Sequence, residues 1–266
     1  MKIIRFLKSR AVHNTYILLL VGLFHLHAFR PVGIAFPIAF FVYLIFATLA
    51  RHWQGVHFGL LFTLVGLNFR YLPEYLLMTP VLPLLIPLGI ATLLILPFRE
   101  VKETLSWMRR GTIDRASMLL MTPVGLISAA ALILWASVSE NLGIGAEMIG
   151  QFEKIPFWLI IAAGVPLFAI FNAATEEAIF RGVVQEMLDW SFDTDWIVWL
   201  FQAMSFAALH YATGFPNGVV GYGMVLVYGF ALGYLRTRTG GILIPIMTHI
   251  MADLVTGYYL VFTMLN

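Results

Sequence analysis

The chain has 266 residues, of which 61% are hydrophobic and only 11% are charged. Soluble domains usually carry about 25% charged residues, so a chain with a mean hydropathy of +0.89 would expose large apolar patches in water. The composition therefore excludes an ordinary soluble domain. The absence of cysteine excludes disulfides, thiolate metal sites and cysteine nucleophiles in this chain, and its net charge of +2 says little about partners.

Long uncharged blocks predict an all-α, polytopic bundle of transmembrane helices. Because a helix crosses the hydrocarbon in about 20 residues, most blocks hold one span, and the longest, 196–235, has room for two. We predict about eight spans, separated at proline, glycine and charged residues. They are 14–29, 32–50, 56–70, 75–98, 116–137, 156–188, a hairpin of 195–211 and 217–235, and 241–264; the total is eight if 56–70 only dips into the interface.

Basic residues predict the orientation of the chain in the membrane. They are Lys2, Arg5, Lys8 and Arg10 before the first span, and Arg236 and Arg238 in a short loop. Short loops rich in Lys and Arg tend to stay in the cytoplasm, so we predict a cytoplasmic N-terminus. The amphipathic, net positive segment 99–115 is predicted to lie on the same surface, and the acidic segment 137–154 on the opposite one.

The first chemical motif is the stretch 175–182, Thr-Glu-Glu-Ala-Ile-Phe-Arg-Gly. An ionisable side chain in hydrocarbon costs at least about 2.5–3.5 kcal/mol, so each one there suggests a function. Glu177 and Arg181 are four residues apart, which predicts an ion pair on one helix face. Glu176 points about 100° away from Glu177 and is left free for another role. Asn172, one turn earlier, is predicted to hydrogen-bond Glu176.

Two later helices carry the other polar groups. Phe206 and His210 share a helix face at a spacing of four residues, and so do His249 and Asp253. A single histidine in a membrane helix is usually just hydrogen-bonded to a neighbour. Asp253 is the last acidic residue of the chain and needs a partner in so apolar a segment, and His249 is the nearest. Three helices thus present acid or imidazole groups, which indicates an active site in the C-terminal half.

These motifs together resemble those of the CPBP family (CAAX-protease and bacteriocin-processing) of intramembrane proteases, which includes the type II CAAX prenyl endopeptidases and bacterial Abi proteins. In order, they are Glu176-Glu177-x-x-x-Arg181, Phe206-x-x-x-His210 and His249-x-x-x-Asp253. The resemblance covers residues 155–260. We therefore predict N-terminal membrane helices with an amphipathic cytoplasmic segment in 1–115, and a catalytic transmembrane core in 116–266.

The resemblance implies a glutamate-type endopeptidase that needs no cofactor and no metal. A Glu/His-activated water would attack the scissile bond of a membrane-associated or lipidated protein or peptide, and a histidine would stabilise the oxyanion. The implied partners are this substrate and the lipid bilayer, with no nucleic acid. The absence of cysteine and the compact helical core fit a location in a bacterial inner membrane. The implied site residues are catalytic Glu176, His210, His249 and Asp253, supported by Glu177, Arg181 and Phe206.

One position departs from the family pattern. Many members carry Asn where this chain has Asp253. An amide can donate a hydrogen bond to an oxyanion, whereas an ionised carboxylate cannot. We therefore expect Asp253 to hold His249 as an imidazolium that donates alone.

Two alternatives remain open. Glu176, His210 and His249 could instead hold a catalytic zinc ion with an open water position. The protein could also be a non-catalytic membrane scaffold, a bacteriocin-immunity protein or a transporter-like protein, although broken helices in symmetry-related halves are not apparent. The chain contains no His-Glu-x-x-His motif and no Gly-x-Ser-x-Gly motif. These absences argue against zincin-type and rhomboid-like serine proteases.

Overall fold

The computed structural model describes residues 9–29, 32–73, 81–139, 154–213 and 215–264. All regular secondary structure within these ranges is helical, which confirms the predicted all-α class. The helices are α1 (Arg10–Phe29), α2 (Ala35–Ala50), α3 (Trp53–Tyr71), α4 (Leu82–Ile95), α5 (Arg99–Lys102, continued by a 3₁₀ turn, Glu103–Met108), α6 (Arg115–Val138), α7 (Phe157–Ser191), α8 (Asp195–Thr213), α9 (Gly218–Thr239) and α10 (Leu243–Met264).

Four of these helices, α6, α7, α9 and α10, are long and apolar enough to cross a membrane. Shorter apolar helices lie at Ala11–His27, Ala35–Ala50 and Leu82–Ile95. The polytopic helical bundle is therefore confirmed, while the number of eight spans stays a prediction. Most of the predicted acidic segment 137–154 lies outside the residues that the structure describes.

Apolar side chains from both halves of the chain form one large core. Phe40 of α2 packs on Phe62 of α3 with ring centroids 5.2 Å apart, and both belong to the same cluster as Ile179, Phe180 and Phe206. The division at residues 115 and 116 stays a prediction. Large apolar side chains on the outer face of α6 are exposed, among them Leu119, Ile127 and Leu134; in a bilayer such a face contacts lipid tails, which are equally apolar.

The prolines of α4 are accommodated by a neighbouring helix. Pro87 lies inside α4, and because it has no N–H, the carbonyl of Pro83 loses its helical donor. The side-chain amide of Asn68 on α3 donates to that carbonyl at 2.8 Å. A membrane helix tolerates proline when such a neighbour satisfies the freed backbone group.

Several helix ends meet at one end of the bundle. Asn14, near the start of α1, donates to the carbonyl of Ser191 at the end of α7 (2.9 Å). Arg236, near the end of α9, forms ion pairs with Glu186 (2.7 Å) and Asp189 (2.5 Å) of α7. Asp189 thus lies within α7 and pairs with Arg236.

The amphipathic segment joins the same end. The backbone N–H of Thr112 donates to the carbonyl of Thr239 (2.8 Å), and that of Ile242 donates to Arg109 (3.0 Å). Gly111 has φ +76°, and a β-carbon there would lie 2.7 Å from the backbone nitrogen of Gly241. The backbones approach so closely that only glycine fits. The segments around Arg109 and Arg236 therefore lie at the same end of the bundle. Arg236 and Arg238 were predicted in a short loop, but they lie in the last turn of α9; the cytoplasmic side of this end stays a prediction.

Candidate active site

Helix α7 is not a regular α-helix where the first motif lies. It contains π-helical turns at Ile160–Gly164 and Ala178–Val184, and the second begins directly after Glu177. Such turns are rare and frequently lie at functional sites. Nη1 of Arg181 donates to Oε1 of Glu177 at 2.8 Å, and both side chains are fully buried. The ion pair that the sequence spacing predicted is present.

Glu177 also joins α7 to α10. Its Oε1 lies 2.8 Å from Nδ1 of His249, so one carboxylate oxygen contacts both Arg181 and His249. Spacing along the chain gave no indication of this contact, because it depends on how the two helices pack. Glu177 thus fixes the orientation of the His249 ring.

The other nitrogen of His249 faces two carboxylates. Its Nε2 lies 3.6 Å from Oε2 of Glu176 and 3.6 Å from Oδ1 of Asp253. These distances suit charge interaction but are too long for a direct hydrogen bond. The structure thereby brings together Glu176, His249 and Asp253, from two of the three motif helices.

The prediction that Asn172 hydrogen-bonds Glu176 is wrong. Its side-chain amide donates instead to Oδ2 of Asp253 at 3.1 Å, because α10 brings this carboxylate within reach of α7. Asp253 was expected to pair with His249, and the structure gives it Asn172 as its hydrogen-bond partner in addition to the longer contact with His249.

His210 is held by the backbone of its own helix. Its Nδ1 lies 3.1 Å from the carbonyl of Phe206, and because a carbonyl only accepts, Nδ1 carries the proton. The neutral imidazole then presents Nε2 as an acceptor. His210 is buried, although no contact joins it to Glu176 among the hydrogen bonds and ion pairs of the described residues.

Phe206 packs against several side chains of the site. Its ring lies 4.6 Å from that of His210 and 6.1 Å from that of His249, both nearly perpendicular. The guanidinium of Arg181 lies 4.4 Å above the ring of Phe206, a favourable cation–π arrangement. Phe206 therefore contacts side chains from all three motif helices; its supporting role stays a prediction.

Sequence reasoning missed the contribution of α9. Nη2 of Arg181 donates to the carbonyl of Gly229 (3.3 Å), and so does the side-chain amide of Gln202 (2.7 Å). A β-carbon at Gly229 would lie 3.2 Å from the backbone of Ala203, so glycine allows this close approach. The spacing Gly229-x-x-x-Gly233 is typical of tightly packed membrane helices and could have revealed the contact.

Four covered polar atoms of the site make no hydrogen bond with any described protein group. They are Oε2 of Glu176, Oε2 of Glu177, Nε of Arg181 and Oη of Tyr228. In folded proteins, nearly all buried polar groups make a hydrogen bond to the protein or to an ordered water molecule. This arrangement suits a polar ligand, such as a water molecule or a peptide carbonyl.

A catalytic zinc ion needs three protein ligands around one position, with a water molecule as the fourth. In the part of the chain that the structure describes, no three or more His, Cys, Asp or Glu side chains form a group that could hold a metal ion. The three ligands of the zinc alternative, Glu176, His210 and His249, therefore do not fit one ion in this arrangement.

The sequence model of the Rce1-like type II CAAX prenyl endopeptidases matches residues 122–255, about half of the chain and all three motifs. No curated protein and no solved structure matches it. The family match, together with the apolar helices, makes the chain an integral membrane protein and, in general terms, an intramembrane endopeptidase. The chain belongs to the Rce1-like family of type II CAAX prenyl endopeptidases.

Proposed function

We propose that this protein hydrolyses a peptide bond of a membrane-associated or lipidated substrate with a water molecule activated by Glu176 and His210. The observation that carries the proposal is the position of Glu176. Its carboxylate is buried in a membrane-spanning helix, and its Oε2 has no hydrogen-bond partner among the described groups and lies 3.6 Å from Nε2 of His249. A buried base beside a donor is the arrangement that hydrolysis requires.

The proposed reaction uses these groups in two steps. The water oxygen attacks the scissile carbonyl carbon while Glu176 accepts one of its protons, and the electron pair of the C=O bond moves onto oxygen. Nε2–H of His249 donates to that oxyanion. When the tetrahedral intermediate collapses, the C–N bond breaks and Glu176 passes its proton to the leaving nitrogen. One water molecule is consumed, and a carboxylic acid and an amine are released.

His210 orients the attacking water in this proposal. With Nδ1 bound to the carbonyl of Phe206, its Nε2 accepts a hydrogen bond from the water. The contact with Phe206 prevents the ring from turning over. Orientation of this kind lowers the barrier because the water need not be ordered during the reaction.

Glu177, Arg181 and Asp253 hold His249 in its doubly protonated, imidazolium form. Nδ1 of His249 faces Glu177 at 2.8 Å, so Nε2 must also carry a proton in order to donate to an oxyanion. His249 therefore acts as an imidazolium, with Asp253 facing Nε2. Arg181 balances the charge of Glu177 through the buried ion pair.

The substrate class and the location are part of the same proposal. The family description is that of a type II CAAX prenyl endopeptidase, so we take a CAAX peptide that carries a prenyl group as the first substrate to test. The catalytic core is assigned to 116–266, which contains all the proposed catalytic residues, and 1–115 supplies the N-terminal helices. The joined basic segments favour a cytoplasmic N-terminus, and the proposed location is a bacterial inner membrane.

The test compares wild type, Glu176→Gln and Glu186→Gln in detergent. Glu186 lies on the same helix outside the site, and its partner Arg236 keeps Asp189, so it is a matched control. Each protein is incubated with a farnesylated peptide ending in a CAAX sequence and with a panel of single-span peptides, with and without EDTA. We expect wild type and Glu186→Gln to cleave regardless of EDTA, and Glu176→Gln to lose about 10²–10⁴-fold in rate.

Other outcomes support the alternatives. Cleavage that EDTA abolishes and zinc restores would favour the metalloprotease. A Glu176→Gln variant that cleaves as fast as wild type would overturn the proposal, and full biological function of this variant in cells would favour the scaffold.

A further inference from the structure

Tyr228 on α9 is a polar side chain that the proposed reaction does not use. Its ring is perpendicular to that of His249, with centroids 5.5 Å apart. Its hydroxyl oxygen is covered by protein and makes no hydrogen bond with any described group. The hydroxyl lies within electrostatic range of Glu177, Asp253 and Glu176, and of the cation Arg181. The phenol therefore borders the same site as the proposed base and oxyanion donor.

The described donors of the site are few. Carboxylates only accept when ionised, and the amide of Asn172 is bound to Asp253. Arg181 is fully buried against Phe206, and two of its nitrogens are engaged by Glu177 and the carbonyl of Gly229. Besides Nε2–H of His249, two donors at the site have no partner among the described groups, Nε of Arg181 and the phenol O–H of Tyr228. The Arg181 guanidinium lies over the ring of Phe206, whereas the ring of Tyr228 packs on His249, so we take the phenol as the donor next to His249.

We infer that Tyr228 is a second oxyanion donor of this protease, an inference that rests on the proposed function. Its O–H donates to the carbonyl oxygen as the C=O electron pair moves onto that oxygen, alongside Nε2–H of His249. The phenol keeps its proton throughout, so the atom and charge balance of hydrolysis is unchanged. The role explains why a buried hydroxyl beside three carboxylates has no partner in the protein: its partner is the reacting substrate.

Tyr228→Phe tests the inference because it removes only the hydroxyl and keeps the ring against His249. The matched control is Tyr222→Phe on the same helix, whose hydroxyl contacts His25 at 3.3 Å, outside the site. With the farnesylated CAAX peptide, we expect Tyr228→Phe to lower kcat about 100-fold with KM within about twofold, the size of effect seen when one oxyanion donor is lost. Tyr222→Phe should keep the wild-type kcat.

A second substrate distinguishes a donor from a residue that acts through Glu177. The same peptide is prepared with a thioamide at the scissile bond, because sulfur accepts hydrogen bonds weakly. If Tyr228 contacts the oxyanion, the loss in Tyr228→Phe shrinks for the thioamide, since the two changes remove the same interaction. An equal loss for the amide and the thioamide would overturn the donor role.

The remaining outcomes separate this inference from the proposed function. If wild type cleaves, Glu176→Gln does not, and Tyr228→Phe cleaves at the wild-type rate, then the Tyr228 inference fails and the glutamate mechanism stands. A rise in KM with an unchanged kcat in Tyr228→Phe would also overturn it. If Glu176→Gln cleaves as well as wild type, the proposed function itself fails. Thermal unfolding of Tyr228→Phe within a few degrees of wild type shows that the protein is folded.

Discussion

Oε1 of Glu177 lies 2.8 Å from Nδ1 of His249, a residue 72 positions later in the chain. The same oxygen accepts a hydrogen bond from Arg181, also at 2.8 Å. Glu177 therefore combines two tasks: it neutralises a fully buried guanidinium, and it orients the proposed oxyanion donor. Glu177 is therefore as much a part of the site as Glu176, but it binds Arg181 and His249, whereas Glu176 is the proposed base.

Glu177→Gln should destabilise the protein strongly. The variant keeps an acceptor for His249 but leaves Arg181 buried without its counter-charge. Removing one partner of a buried ion pair typically costs about 3–5 kcal/mol. The measurement is thermal unfolding in detergent, with Glu186→Gln as control, because that ion pair is partly exposed and Arg236 retains Asp189. Equal melting temperatures for the two variants would contradict this account of Glu177.

The features that could be predicted from sequence are local ones. Uncharged blocks predicted the helices, and a spacing of four residues predicted the pair of Glu177 and Arg181. Contacts between helices could not be derived in this way, because they depend on the packing of α7 against α10 and on the π-helical turn at Ala178–Val184. The partner of Asn172 was therefore assigned wrongly, and Tyr228 was missed because a tyrosine in a membrane helix carries no charge to draw attention to it.

Asn172 should act on catalysis through Asp253. Asn172→Ala removes the 3.1 Å hydrogen bond, which frees the carboxylate to turn, and we expect cleavage of the farnesylated peptide to fall several-fold. Asn172→Asp places a second carboxylate at hydrogen-bond distance and should lower the rate further, since like charges repel. The measurement is kcat and KM for both variants. Wild-type rates in Asn172→Asp would show that the contact has no part in the reaction.

The start of α6 should show a pH-dependent contribution to stability. Oδ1 of Asp114 accepts a hydrogen bond from the backbone N–H of Ser117 (2.7 Å), and the Ser117 hydroxyl accepts in turn from the backbone N–H of Asp114 (3.0 Å). The backbone and side-chain hydrogen bonds with Ser117, and then the nearby Arg238, hold the pKa of Asp114 below its ordinary value of 3.8. A carboxylate whose pKa is lowered by folding contributes fully above 3.8 and loses that contribution as pH falls through the lower, folded value.

The variants Asp114→Ala and Asp114→Asn distinguish the contribution of the N-cap hydrogen bond of α6 from the contribution of the carboxylate charge. At pH 7, Asp114→Ala should melt below wild type because the helix loses its N-cap. The difference in melting temperature between wild type and Asp114→Ala should become smaller as pH falls below 3.8, because protonation of Asp114 weakens the N-cap of the wild-type helix. Asp114→Asn keeps a neutral cap, so its difference from Asp114→Ala should not change with pH. A gap between wild type and Asp114→Ala that is constant from pH 7 to pH 3 would contradict the assignment.

Asp253 and His249 should respond differently to substitution, although they are neighbours on one helix face. Asp253→Asn keeps an oxygen that can accept from Asn172, and its new amide can itself donate to an oxyanion. We expect this variant to retain activity within about tenfold of wild type. His249→Ala removes the donor whose Nε2 lies 3.6 Å from Glu176 and should lose about 10²–10³-fold in kcat. The measurement is cleavage of the farnesylated CAAX peptide, with thermal unfolding as the check that both variants are folded. Equal losses in two folded variants would mean that Asp253 takes part directly in the chemistry and does more than hold the histidine.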